Sequence, residues 1–148
     1  MTARTLILWL HVLGGLSWIG ACASFVLASL ALSGQDSELP ELVQRTAPRI
    51  NRIGLGCAAL LPITGLGNLG FAARAHGFAL SREFVAIVAV KILLLGLMGF
   101  ALRRAVEIAN DGASGDRDVA SRRLRNCYGA IAGAGAIALL LGLWLAGL

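Results

Sequence analysis

Four stretches of this chain are long and apolar enough to cross a lipid bilayer, and nothing else in the sequence constrains the fold as strongly. Thr5 to Gln35, Ile53 to Ala73 and Asn126 to Leu148 contain no formal charge. The remaining run, Phe84 to Leu102 (FVAIVAVKILLLGLMGFAL), has 19 residues and a single charge, Lys91, the only lysine in the chain. A bilayer core is crossed by about 20 apolar residues in helical form. Lipid offers the backbone no hydrogen-bond partners, so each such run must close its own hydrogen bonds as a helix. Short connections between the runs force neighbouring helices to lie antiparallel. The expected fold is therefore all-α: an integral-membrane, up-down bundle of four transmembrane helices, with residues 1–148 as a single domain.

Composition supports that reading and narrows the function. Apolar residues make up 57% of the chain, charged residues only 14%, and mean hydropathy is +0.79. That leaves no room for a soluble module of useful size. The net charge of +5 would suggest nucleic acid in a soluble protein, but here the arginines flank the spans, and the expected partner is membrane lipid, not nucleic acid. Arg45, Arg49 and Arg52 lie in the first connection, and Arg103, Arg104, Arg117, Arg122, Arg123 and Arg125 in the third. Only Arg4, Arg74 and Arg82 lie on the opposite side. The positive-inside rule then puts both termini outside and the arginine-rich connections in the cytoplasm, as in a multi-pass protein of the bacterial inner (cytoplasmic) membrane. Ala21-Cys22-Ala23 resembles a small-residue cleavage site. The apolar run continues ten residues beyond Cys22, longer than a signal-peptide core, so the first span is expected to be retained.

Along the chain, the first span runs from about Thr5 to Ser33. The acidic stretch Gly34 to Arg49, bounded by Pro40 and Pro48, reads as a short interfacial helix leading into span two at about Ile50 to Ala75. Span two carries Gly54, Gly56, Gly65, Gly67 and Gly70 with Pro62, which predicts close packing and a kink. Ser81 is an expected N-cap for span three, with Glu83 suited to the positive end of that helix. The third connection, about Ala105 to Arg122, carries Asp111, Asp116, Asp118 and a Gly-Ala-Ser-Gly patch and is expected to be mobile and exposed. Gly129 and Gly133 form a GxxxG pattern in span four, which permits close approach of an internal helix or of a second copy in a homo-oligomer.

Candidate chemistry is confined to few residues. Lys91 sits mid-span, where a cation costs at least ~2.5 kcal/mol; it snorkels to water or faces a partner inside the bundle, and its central position favours the second. His11 is the only imidazole within a span. At 3.6 residues per turn His11, Gly14 or Gly15, Trp18 and Cys22 share one face. His11 lies about 9 Å, and Lys91 roughly 13 Å, inside the same end of their spans at 1.5 Å per residue, so both belong to one half of the bundle. Glycines beside the histidine leave space for a flat or bulky group, with Trp18 as a lining residue; the plainer alternative is a histidine that simply hydrogen-bonds a neighbouring helix. His76, in the turn after span two, is either an entry-side ligand or a solvated loop residue. Asn51, Thr64 and Asn68 give span two a polar stripe that reads as interhelical glue. The odd set Cys22, Cys57 and Cys127, without CxxC spacing, reads as packing residues. There is no nucleotide loop, no paired intramembrane carboxylates and no serine–histidine–aspartate set.

HVLGGLSWIG in span one resembles the His–Trp–x–Gly opening of the membrane domain of copper-resistance protein D. Arg49-Ile-Asn-Arg-Ile-Gly followed by Leu60-Leu61-Pro-Ile-Thr-Gly65 is similar to that family's second helix, and Val90-Lys91-Ile-Leu-Leu ending in Arg103-Arg104 to its third. The pattern of a first-helix histidine and a third-helix lysine also resembles HemJ-type protoporphyrinogen oxidases, although Ala21-Cys22-Ala23-Ser24-Phe25 stands where that family has an aromatic–Leu–Pro–Arg stretch. The first resemblance implies a copper-handling protein with His11 and His76 as metal ligands and Lys91 tuning the site. The second implies a haem-b membrane oxidoreductase, with His11 as axial ligand, Trp18 and Lys91 against the cofactor, and Lys91 serving catalysis beside a quinone or porphyrin-type small molecule. Copper and haem b both remain open at this point.

Overall fold

The computed structural model describes residues 2–32, 38–75, 77, 79, 81–111 and 117–147. Four α-helices account for nearly all of them: α1 (Ala3–Ala31), α2 (Glu38–Ala75), α3 (Arg82–Asp111) and α4 (Arg117–Gly147). All four are long and apolar enough to span a membrane, and no strand occurs among the described residues. Each helix packs on its neighbours in the ring α1–α2–α3–α4, and α2 also touches α4 across the middle, while the backbones of α1 and α3 stand apart and only their side chains come together. Many large apolar side chains point outward, among them Ile63 (70% exposed) and Leu93 (72%). In water such a surface would be untenable; against lipid it is the expected exterior.

Local signals set the helix ends. Thr2 caps α1, its Oγ accepting from the Thr5 N–H at 3.4 Å. Ser81 caps α3, accepting from the Phe84 N–H at 3.1 Å, with Glu83 in the first turn. The expected break between an interfacial helix and span two is absent: α2 runs unbroken through Pro48 and Pro62. A proline removes one backbone donor and crowds the preceding turn, but in a membrane bundle threonine hydroxyls and neighbouring helices can re-satisfy the backbone. Thr46 and Thr64 stand two residues from the two prolines, but their hydroxyls donate to the Leu42 and Leu60 carbonyls, their own i−4 partners, and not to the carbonyls of residues 44 and 58 that the prolines deprive of a donor.

The core lies toward the end of the bundle that carries the arginines. Trp18, Cys22, Tyr128, Leu124 and Ile131 are sealed there, with Met98, Leu102 and Ala105 from α3. Two glycines permit this packing. A Cβ on Gly54 would fall 2.8 Å from Leu102 Cδ1, and one on Gly135 would fall 2.5 Å from Ile19 Cγ1, so both helices approach closer than any side chain allows. The GxxxG pair does not serve this purpose inside the bundle. Gly129 meets only Val26, at 4.0 Å, and Gly133 faces open space. Tyr128 ties three helices: its hydroxyl donates to Asn51 Oδ1 at 2.9 Å, and its ring meets Phe25 edge-on with centroids 4.7 Å apart. Cys22, Cys57 and Cys127 are free thiols, the first two buried.

Candidate functional site

His11 is held from the neighbouring helix. Its Nδ1 lies 2.8 Å from Thr64 Oγ1, and that oxygen lies 2.8 Å from the Leu60 carbonyl and 3.3 Å from the Leu61 carbonyl. A hydroxyl has one proton, and a carbonyl can only accept. Thr64 therefore donates to its own backbone and accepts from the imidazole, so Nδ1 carries the hydrogen. In the neutral ring the lone pair is then on Nε2, which has no hydrogen-bond partner among the described residues. This assignment follows from the network, not from observed hydrogens. The ring itself lies over bare backbone: a Cβ on Gly65 would sit 3.4 Å from His11 Cε1. The register of α1 against α2 thus gives the imidazole a fixed orientation and leaves one nitrogen available.

Lys91 enters the same half from α3. Its side chain is half-buried, and its Nζ points at α4, 3.0 Å from where a Cβ on Gly142 would be. Among the described residues it makes no ion pair and no hydrogen bond. His11 and Lys91 stand on α1 and α3, whose backbones do not approach each other, each about two to three turns inside the same end of the bundle. The imidazole is bonded to α2 and the ammonium is aimed at α4. Among the described residues the acids nearest the spans, Glu83 and Glu107, lie at the two ends of α3.

The other sequence candidates fall elsewhere. Trp18 is fully buried, with its Nε1 against Gly54 and Leu102 and no hydrogen-bond partner. It lies two turns, roughly 10 Å, along α1 from His11, and forms part of the sealed core. His76 falls outside the described residues. Among the described residues no three His, Cys, Asp or Glu side chains converge to hold a metal ion. Thr64, read from the sequence as interhelical glue on span two, does bond across to α1, and its partner there is His11, which it orients. The only signal for that role was its place on the polar stripe with Asn51 and Asn68.

No protein-family model matches this chain, and no curated protein or solved structure matches it.

Proposed function

We propose that this four-helix membrane protein binds haem b through His11 and serves as a membrane oxidoreductase acting on a small reductant of the quinone or porphyrin type. The observation that carries the reading is the oriented imidazole: Thr64 takes the Nδ1 hydrogen, so Nε2 is left as a ligand atom. A single protein nitrogen without a converging ligand cluster suits a group that brings its own remaining donors, as a tetrapyrrole does. When bound, haem supplies one-electron redox chemistry. Lys91 would pair with an anionic group, either a propionate or a substrate carboxylate, because an unpartnered ammonium at this depth favours an incoming counter-charge. Thr64 would hold the ring tautomer, a role that outer-shell partners commonly play for metal-bound histidines. The resemblance in spans one and three, His11 with Lys91, supports the same assignment.

A second reading, copper handling, keeps His11 as a ligand with His76 on the entry side. It is favoured by Trp18-x-Gly20 and by the Arg49 to Gly65 pattern. In either case the arginine-rich connections would lie in the cytoplasm of a bacterial inner membrane, with both termini outside.

The test is an absorption spectrum of detergent-purified protein, oxidised and reduced, with metal analysis on the same sample. The haem reading expects a Soret band that shifts on reduction and is lost in His11→Ala, while that variant elutes as the same folded species. A colourless sample containing stoichiometric copper would select the second reading, and a Soret band unchanged in His11→Ala would remove His11 from the site.

A further inference from the structure

The arginine-rich end of the bundle carries a second feature, unconnected with His11. Between α2 and α3, the most loosely packed neighbouring pair in the ring, a groove of about 320 Å³ opens on the bundle surface, floored by Leu55, Ala58, Gly99 and Leu102. A Cβ on Gly99 would meet nothing within 4 Å, and Leu55 and Phe100 are 57% and 61% exposed, so the trough opens toward the lipid phase.

Its rim is charged. Arg103 and Glu107 border the groove. Glu107 is shared by two guanidiniums, Arg103 at 2.9 Å and Arg104 at 3.2 Å. Arg104 also lies over the Phe100 ring, 5.8 Å from its centroid. On the opposite wall Arg52 precedes Leu55 by three residues, which places it on the same stripe of α2, and Arg49 follows one turn farther. Both are exposed and make no ion pair among the described residues. Two arginines thus share one carboxylate at the rim of an apolar trough, and the helix repeat sets Arg52 above Leu55 on the facing wall.

We propose that this groove binds one anionic phospholipid, its acyl chain along Leu55, Gly99 and Leu102 and its headgroup phosphate held between Arg52 and Arg103. A guanidinium pairs with phosphate through two parallel N–H groups, and basic pockets between transmembrane helices are suited to such headgroups. A zwitterionic lipid would bring no net charge to offset the rim. A second copy of this chain docking symmetrically would set the same cationic rim against itself, because a two-fold interface places identical patches together. Charge complementarity thus selects the lipid over self-association.

Native mass spectrometry of the full-length protein in micelles containing phosphatidylglycerol and phosphatidylcholine of matched chains tests this. Phosphatidylglycerol should remain bound in preference to phosphatidylcholine. Arg52→Gln, which breaks no ion pair among the described residues, should lower that retention about fivefold, as expected for about 1 kcal/mol per arginine. Gly99→Leu should fill the trough and abolish retention; if it also lowers the melting temperature, the Arg52→Gln, Arg103→Gln double variant decides. Equal retention of the two lipids overturns the proposal, as does full phosphatidylglycerol retention in the double variant. A lipid-free dimer that Gly99→Leu dissociates would show that a second copy occupies the groove, and would also overturn it.

Discussion

Between Gly14 and Ser29 of α1, a residue is sealed from the exterior at every third or fourth position: Gly14, Trp18, Cys22, Phe25 and Ser29. Between Ala3 and Leu13 of the same helix none is. The other three helices repeat this division. Their buried residues cluster toward the arginine-rich end, and toward the termini the described residues that are buried are few, Ile87 and the His11 partner Thr64 among them. The tight half carries aromatic rings, thiols and glycine-mediated contacts. The loose half carries His11 and Lys91. Membrane helices associate through close packing and not through water exclusion, so the tight half holds the bundle together. Freed from that task, the loose half can keep an ammonium with no protein counter-charge and an imidazole with an open nitrogen.

If this division is right, substitutions should sort by half. The largest stability effect should come from Trp18→Ala, which opens a cavity where α1, α2 and α3 meet. Truncation of a fully buried aromatic costs about 3–5 kcal/mol, read as a large drop in melting temperature in detergent. A loss below about 1 kcal/mol would mean that the tight half does not carry the fold. Trp18→Phe should cost far less, because the indole N–H it removes has no partner.

Tyr128→Phe comes next. It deletes the hydroxyl that donates to Asn51 Oδ1 and leaves that oxygen buried and unpaired, at about 1–3 kcal/mol. Asn51→Leu in the Tyr128→Phe background should restore most of the loss, since replacing both partners removes the unsatisfied group. A double variant no more stable than the single one would show that the hydroxyl acts through packing with Phe25.

Thr64→Val probes the boundary between the halves. The bond between His11 and Thr64 links two membrane helices, and such bonds contribute about 0.6 kcal/mol on average, so stability should fall only slightly. Ligand retention should fall more, by about 10–100-fold, as it does when an outer-shell partner of a metal-bound histidine is removed. Equal, small changes in both would make Thr64 a packing residue.

The sequence made this division legible only in part. Four spans followed from hydropathy alone, because lipid leaves the backbone no other choice. His11 and Lys91 stood out because nothing similar accompanies them within a span. Thr64 was visible as a polar residue but not as the partner of His11. That pairing depends on how far α1 and α2 slide past each other, which the expected interfacial helix before Ile50 left open and the continuous α2 fixes. Tyr128 and Asn51 meet across 77 positions of sequence, beyond the reach of any local pattern. Gly142 looked like one glycine among 19; only the packing of α4 against α3 brings it to the Lys91 Nζ.

The smallest stability effect should come from the residue with the sharpest functional one. Lys91→Met removes an ammonium that has no ion pair or hydrogen bond among the described residues, and replaces it with an unbranched side chain of similar length. A cation at mid-span costs at least ~2.5 kcal/mol on the insertion scale. Its loss should therefore leave the melting temperature unchanged or raise it. The long chain is also free to move: Gly142→Ala would press on the Lys91 Nζ at 3.0 Å, but that atom is the end of a flexible side chain and can shift aside, so this variant should melt within about 0.5 kcal/mol of the parent, as most changes without a strained neighbour do. Ligand retention should respond differently, weakening sharply in Lys91→Met while Lys91→Arg, which preserves the charge, retains more. A Lys91→Met protein that unfolds more easily would assign the lysine to holding α3 against α4. A Lys91→Met protein equally stable and equally competent in ligand binding would leave the charge without a role in the loose half.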